Sequence, residues 1–556
     1  MTAWMDGRKR PLLLHRMEQT VFDVLIIGGG ITGAGIALDA QSRGLATALI
    51  DMQDFGAGTS SRSTKLVHGG LRYLKQLEFG LVAEVGKERA IVHENGPHVT
   101  KPEWMLLPVY KNGTYGRLAT SLGLRMYDFL AGVRREERRR MLSAAETLER
   151  EPLLRRDGLL GGGYYAEYRT DDARLTLEVL KAAVQRGCYA ANYVKATGFL
   201  YENGRAVGIR AEDQLTGRKY EWKARKLINA AGPWVDTLRE MDRSKTGKRL
   251  LLTKGVHLVF DRRRFPLRQA VYFDVPDGRM AFAIPRADKT YVGTTDTVYS
   301  GELTHPRMTA EDRDYLLRAV RAMFPELALT AADVESSWAG LRPLIQETGK
   351  GPSDISRKDE IWRSPSGLVT IAGGKLTGYR KMAEAVVDQL ADEIKKETGV
   401  KLAACQTRRM PISGGEVGGA AHFPAYVRDM TELGKRFGFT EMQAERLAQQ
   451  FGSNAEQVFR CGASVADAGK AELRGLPLEW LASLLYSMQE ELAMTCSDFF
   501  IRRVGALYFD LQAVYRYQDA VAAIMAEWYG WSDGEKKRQL EELNLLMHNA
   551  MIAADS

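Results

Sequence analysis

The stretch FDVLIIGGGITGAGIALDAQSRGLATALIDMQD, residues 22–54, constrains this chain more than any other. Val21 to Ile27 is an apolar run bounded by glycines, which reads as a buried parallel strand. Gly28, Gly30 and Gly33 then fill G-x-G-x-x-G: a turn without Cβ clashes, close approach of backbone to a pyrophosphate, and close packing of a helix on the strand. The N-terminus of that helix faces the phosphates. A second short strand, Ala46 to Ile50, ends at Asp51, where an acidic residue accepts ribose hydroxyls. Strand, helix, strand and acid together predict a dinucleotide site.

The same unit serves FAD and NAD, so the rest of the chain must decide between them. KLINAAGPWVD, residues 226–236, is another buried strand, ending in Ala230, Ala231 and Gly232 beside a proline and a tryptophan. GLVTIAGGKLTGYRKMAEAVVDQL, residues 367–390, is a third strand, a glycine pair and a helix. Between the first and second segments lie a helix, ARLTLEVLKAAVQRG, and alternating stretches whose E-N-G and T-G-R turns predict antiparallel strands. One nucleotide domain is thus assembled from distant pieces. An NAD domain is normally one continuous block, whereas an extended FAD is held at separated points, so FAD is the better fit.

The chain has 556 residues, more than one hydrophobic core supports, and two to four structural units are expected. Apolar residues at 45% and charged residues at 27% exclude a disordered chain and a membrane bundle. The net charge of +8 suits nucleic acid, an anionic bilayer or an anionic substrate equally well. Cys188, Cys405, Cys461 and Cys496 form no C-x-x-C pair, so neither a metal site nor a disulfide framework is expected, and a reducing cytoplasm fits. Residues 1–20 lack the apolar core of a signal peptide and read as a loose or docking arm. No window reaches about 18 uninterrupted apolar residues, so any membrane contact is peripheral. The segment 117–140, apolar and then basic, reads as a core helix with a solvated tail in preference to a helix lying on a bilayer.

Beyond these local signals, the motifs IIGGGITGAGIALDAQSRG, TSSRSTKLVHGGLRYL, DDARL, NAAGPWVD, KGVHLVF, VGTTDT, GLRPL and AGGKLTGYRKMAE occur in one order. In that set the chain resembles the FAD-dependent, aerobic glycerol-3-phosphate dehydrogenases, within the wider glycine oxidase and D-amino-acid oxidase superfamily. The similarity runs from about residue 21 to 400 and is weaker beyond. It implies an α/β fold: a Rossmann-like FAD-binding domain of glutathione-reductase type, a substrate domain with an antiparallel sheet, and an all-helical C-terminal domain. The expected division is an arm at 1–20; a discontinuous FAD domain at 21–90, 165–245 and 346–405; a substrate domain at 91–164 and 246–345; a linker at 406–419; and helices at 420–556. Asp51 stands where such flavoproteins commonly carry Glu.

The resemblance also implies the site. Thr59, Ser60, Ser61 and Lys65 join Gly28, Gly30, Gly33 and Asp51 as cofactor contacts, with Ala231 and Gly232 from the second segment and Gly373, Gly374, Lys375, Leu376 and Thr377 from the third. The implied substrate, glycerol 3-phosphate, is a small alcohol carrying a phosphate dianion, and it needs an anion clamp and a base. In STKLVHGGLRYLK, residues 63–75, the glycine pair lets backbone lie against the flavin while polar tips point at the substrate. Arg72 is the first phosphate candidate, since a guanidinium grips oxyanions with a bidentate fork, and Tyr73 adds a neutral donor. Arg342, Thr295 and Arg357 match further substrate positions, and Arg342 alternatively polarises the oxygen that becomes a ketone. His68 and His257 are the candidate bases, histidine having the pKa for the task near neutrality. Lys375 stabilises the reduced, anionic flavin or the product oxygen.

The expected partners are glycerol 3-phosphate, a quinone and a membrane surface on the inner face of the cell, with a homodimer allowed and nucleic acid excluded. An oxidase using oxygen is the nearest alternative reading; the compact run from KGVHLVF to GLRPL, without a long polar insertion, favours the dehydrogenase. A basic flavoprotein binding nucleic acid ranks last, because no nucleic-acid fold signature appears.

Overall fold

The computed structural model describes residues 5–68, 79–111, 113, 116–130, 137–347, 359–466 and 475–554. Val21–Ile27 lies inside an eight-stranded sheet. It pairs in parallel with Thr47–Ile50 on one side and Lys219–Asn229 on the other. Tyr189–Ala191 and Val369–Ala372 extend the parallel set outward on those two sides. The parallel strands therefore come from separated parts of the chain, as the scattered glycine motifs predict. Helix Ile31–Ser42 packs against helices Asp172–Gln185 and Tyr379–Thr398, so that each strand–helix segment covers its neighbour. The E-N-G turn is a hairpin between Val194–Glu202 and Arg205–Asp213, with Asn203 and Gly204 both at positive φ.

A second, ten-stranded sheet is mainly antiparallel, and its longest pairing joins Lys248–Asp261 to Val334–Glu347. Ala270–Asp274 and Thr100–Tyr110 supply a parallel pairing within it. The short strand Leu66–Val67 pairs with Leu159–Thr170, so the chain passes from the eight-stranded to the ten-stranded sheet immediately before His68. Leu159–Thr170 lies wholly in this second sheet; the expected boundary at 164 and 165 cuts through it, and the transition falls at Asp171, which caps the Asp172–Gln185 helix.

Every regular element described from residue 420 to 551 is helical. The breaks fall at RFGFT, QFGSN and YGWSDGE, where Gly438, Gly452 and Gly530 take positive φ. Residues 5–20 are not loose. Helix Arg10–Glu18 buries Leu13, Leu14 and Met17, and Arg10 is bound to Asp213 at 2.7 and 3.0 Å and to the Asn192 carbonyl at 2.7 Å. The helix Arg117–Leu130 packs against Phe79–Asn95 and Leu159–Thr170, with Leu124 buried. Among the described residues, no helix is long and apolar enough to cross a membrane.

Candidate active site

The glycine turn admits little else. A Cβ on Gly28, at φ +117°, would stand 2.4 Å from the Ala230 carbonyl oxygen, and one on Gly33 would stand 1.9 Å from the Gly28 carbonyl oxygen. Gly33 therefore packs helix on turn and does not line the cleft. The helix begins at Gly30, which has no capping side chain, and Ser60 Oγ accepts from the Ile31 amide at 2.9 Å in its place. Asp51 is fixed on the same turn, its carboxylate accepting from Gly29 N–H at 2.7 Å and Gln53 N–H at 2.9 Å. Burial pushes its carboxyl up to about 7 against the pull of those two donors.

A cleft of about 400 Å³ starts at this turn. Gly28, Gly30, Asp51, Thr59 and Ser60 line it from the first segment, Ala231 and Gly232 from the second, and Gly373, Gly374, Lys375 and Leu376 from the third. The three segments, each more than 100 residues from the next in sequence, thus share one wall. Met52, Gln53 and Val194 also line it and were not singled out in the sequence, whereas Trp234 and Pro343 come from the NAAGPWVD and GLRPL motifs.

Other expected cofactor contacts are engaged elsewhere. Lys65 Nζ is buried on Asp172 at 2.6 Å and on the Ser61 carbonyl at 3.1 Å, and Ser61 is itself buried. Neither lines the cleft. Thr377 is also buried; its hydroxyl accepts from the His68 amide at 3.1 Å and donates to the His68 carbonyl at 3.2 Å.

His68 follows the Leu66–Val67 strand and packs edge-on against Phe282 with ring centres 5.9 Å apart. Burial, reinforced by the Lys375 and Arg89 charges, lowers its pKa to about 4, so the ring is neutral at pH 7. His257 is more enclosed. It is 2% exposed, stacked on Trp338 at 4.6 Å, and its Nε2 shares a hydrogen bond with Thr64 Oγ1 at 3.0 Å. Burial, with Arg342 and Lys65 nearby, holds its pKa well below the usual histidine range.

Arg342 projects from the long Val334–Glu347 strand. It donates to Asp296 Oδ1 at 3.0 Å, the Thr295 carbonyl at 3.2 Å and Thr294 Oγ1 at 3.1 Å, which fixes its fork over the GTTD turn. Asp296 was not foreseen, although it closes that motif. Thr295 contributes to this turn through its backbone. Its hydroxyl is buried and engaged with the Val256 amide at 3.0 Å and the Lys254 carbonyl at 3.2 Å, so the expectation of a direct substrate contact finds no free donor here. Arg72, Tyr73 and Arg357 lie outside the described residues.

An ion cluster that the sequence did not reveal stands behind Asp51. Asp54 is fully buried and receives Arg503 at 2.7 and 3.0 Å, Arg502 at 2.5 Å and Asn192 at 3.0 Å. Arg503 and Arg502 belong to a π-helical turn, Asp498–Arg503, of the C-terminal domain. The loop that carries Asp51 and Asp54 is thereby tied to the helical domain.

The residues fit FAD. A glycine cradle with no room for Cβ, a helix N-terminus, an acid fixed on the turn and a second glycine pair more than 300 residues away line one long cleft, the arrangement an extended dinucleotide needs. Residues 23–383 match the family model for FAD dependent oxidoreductase, and residues 405–536 match the C-terminal domain of alpha-glycerophosphate oxidase. The chain is 59% identical to an aerobic glycerol-3-phosphate dehydrogenase of Bacillus subtilis, over 99% of both chains. It is 54% identical to one from Staphylococcus epidermidis, over 98% of both. Among solved structures it is similar to the glycerol-3-phosphate dehydrogenase from Bacillus halodurans complexed with FAD, with a TM-score of 0.86, 49% identity and 99% of both chains covered. The fold is shared more distantly with an L-alpha-glycerophosphate oxidase from Mycoplasma pneumoniae, at a TM-score of 0.55 and 18% identity over 70% of this chain and 97% of that one. The chain belongs to the FAD-dependent oxidoreductases, in the family of the aerobic glycerol-3-phosphate dehydrogenases.

Proposed function

We propose that this chain oxidises sn-glycerol 3-phosphate to dihydroxyacetone phosphate and passes the electrons to a membrane quinone. The observation that carries the reading is the 59% identity to a named aerobic glycerol-3-phosphate dehydrogenase over the whole chain, supported by Lys375 on the cleft wall, whose charge acts on the neutral ring of His68.

Oxidation of a secondary alcohol removes a hydride from carbon and a proton from oxygen. Bound FAD supplies the two-electron acceptor for the hydride. The proton falls to His68. At pH 7 its ring is unprotonated, the form that can accept a proton, and its backbone is pinned on both sides by Thr377. His257 supports the site from beneath: it is stacked on Trp338 and bound to Thr64, which leaves its ring less accessible than that of His68. Arg342 presents a cationic fork, held in orientation by Asp296 and Thr294, to the phosphate or to the oxygen that becomes the ketone. Lys375, at the mouth of the last glycine turn, offsets negative charge that develops on oxidation. Arg72, Tyr73 and Arg357 complete the clamp in this reading.

Association with the inner face of the membrane follows from the lipid-soluble acceptor and is peripheral and electrostatic, in keeping with the net charge of +8. The decisive test is anaerobic mixing with glycerol 3-phosphate. Bleaching of the bound cofactor by this substrate and not by glycerol supports the substrate assignment; bleaching by neither rejects it. Fast reoxidation by a soluble quinone and slow reoxidation in air are expected. Hydrogen peroxide formed at the full turnover rate would instead make the protein an oxidase.

A further inference from the structure

A second cavity, of about 130 Å³, lies where the three domains meet and adjoins the cofactor cleft, with Gln53 on the wall of both. Arg62 enters it from the nucleotide domain, Arg307 and His305 from the loop after the substrate-sheet strands, and Tyr508, Arg502 and Asn549 from the helical domain. Its charges do not cancel. Arg502 is neutralised by Asp54 and Asp498, both at 2.5 Å, and Asp54 is further held by Arg503. Glu542, the other acid on the wall, takes a hydrogen bond from Ser497 at 3.2 Å.

Arg62 and Arg307 have no such partner. Arg62 donates to the Thr304 carbonyl at 2.9 Å and also meets Tyr508, with the Glu302 charge nearby, and Arg307 donates to the Ile552 carbonyl at 3.4 Å; among the described residues neither forms an ion pair. The Arg307 Nε–H and the Asn549 side-chain oxygen are buried without hydrogen-bond partners. Burial and the fields of Arg62 and Arg502 also lower the pKa of His305. Two half-buried arginines that share one cavity wall without an ion pair favour an anion that joins them. The planar N–H fork of arginine suits a tetrahedral or planar oxyanion.

We propose that this cavity is a binding site for a small oxyanion, phosphate or carboxylate, held by Arg62 and Arg307 and separate from the substrate site. Its occupancy bears on the catalytic strand. A Cβ on Gly340 would stand 2.4 Å from the Arg62 carbonyl oxygen, and Thr59 Oγ1 donates to the Leu341 carbonyl at 2.7 Å, so Arg62 sits directly against the strand that carries Arg342.

The test uses FAD-loaded Arg342→Ala protein, in which the anchor of the substrate site is gone. Inorganic phosphate is titrated by calorimetry at constant ionic strength, with potassium chloride as the balancing salt and succinate as a second arm. Saturable binding is expected. Adding Arg62→Met or Arg307→Met should weaken it at least tenfold while FAD is retained. A preference for phosphate or for succinate tells which oxyanion the seam selects, and equal binding indicates a general oxyanion site. Unchanged phosphate affinity in both double variants would place the binding in the substrate site and overturn the proposal, as would the absence of saturation by either anion. If Arg62→Met does not fold, Arg307→Met decides alone, and tungstate soaked into crystals must give an anomalous peak between these two arginines.

Discussion

The Thr377 hydroxyl is hydrogen-bonded to both backbone groups of His68, accepting from its N–H at 3.1 Å and donating to its carbonyl at 3.2 Å. The turn after the last glycine pair thereby fixes the position of the candidate base 309 residues earlier in the chain. A second link reinforces it: Arg380, two residues past that turn, forms a buried bidentate pair with Glu88 at 2.5 and 2.8 Å, on the helix that follows the HGGLRYL motif. Thr377→Val keeps the side-chain shape and removes both hydrogen bonds, each worth about 1 kcal/mol net. Flavin reduction should slow about tenfold with KM nearly unchanged, and Thr377→Ser should recover most of the rate. Stopped-flow reduction under anaerobic conditions measures both. Normal reduction in the valine variant would mean that His68 is positioned by other contacts.

The acid limb of the pH profile reports on His68 itself. Burial, and then the Lys375 charge, hold its pKa near 4, so the base form persists down to that pH and kcat/KM should fall only below it, not at 6.5 as for a solvated histidine. Lys375→Met should move the limb upward, and His68→Asn should slow reduction by about 100-fold and abolish the limb. The same depression favours the neutral ring in the folded state. The unfolded chain takes up the proton first, so this contribution to stability is complete above pH 6.5 and is lost as pH falls towards 4.

Arg342 owes its orientation to three acceptors on the GTTD turn. Arg342→Ala should lose roughly 2 to 4 kcal/mol of transition-state stabilisation, read as kcat/KM for glycerol 3-phosphate, while FAD stays bound. Arg342→Lys cannot reproduce the fork and should recover little. Asp296→Asn keeps one acceptor but removes the charge, and a smaller loss is expected. Wild-type kcat/KM in the alanine variant would remove Arg342 from the site.

Asp51 is expected to make cofactor uptake depend on pH. Its carboxyl, at about 7 from burial, becomes a full carboxylate acceptor for ribose hydroxyls only as pH rises through neutrality. FAD binding to the apoprotein should therefore tighten by about tenfold between pH 6 and 8, with release of a proton. Asp51→Asn should bind more weakly and show a flat profile. A steep dependence surviving in that variant would assign the proton to another group.

Much of this architecture is legible from local pattern because each nucleotide segment carries its own signal: an apolar strand, a glycine turn and a helix start. Those signals depend on neighbours in sequence, and the structure unites all three on one wall. Side-chain roles were harder to read because their partners are remote. Lys65, expected at the cofactor, is paired with Asp172, 107 positions on; the Thr295 hydroxyl satisfies Val256 and Lys254; and Arg10, on an arm read as loose or docking, finds Asp213, 203 positions away. Asp54, in the same DMQD as Asp51, gave no hint that its counter-charges lie at residues 502 and 503. Pairing between charges buried by different domains leaves no periodicity.

That last pairing yields the prediction that separates the helical domain from a passive appendage. Asp54 is fully buried, and Arg503, Arg502 and Asn192 together fill its hydrogen-bonding capacity, holding its carboxyl below the usual carboxylate range although burial alone would raise it. Arg503→Met removes one buried partner and leaves excess negative charge against Asp54 and Glu491, a change that costs about 3 to 5 kcal/mol. Because the same loop carries Asp51 and is bound to the glycine turn through Gly29, the loss should appear as faster FAD release as well as a lower unfolding midpoint. Asp54→Asn in the Arg503→Met background removes the uncompensated charge and should restore part of the stability and slow FAD release again. Denaturant unfolding monitored by tryptophan emission gives the first quantity, and the dissociation rate of FAD below the unfolding transition gives the second. A variant that loses stability but releases FAD at the wild-type rate would show that the helical domain supports the fold without positioning the cofactor loop.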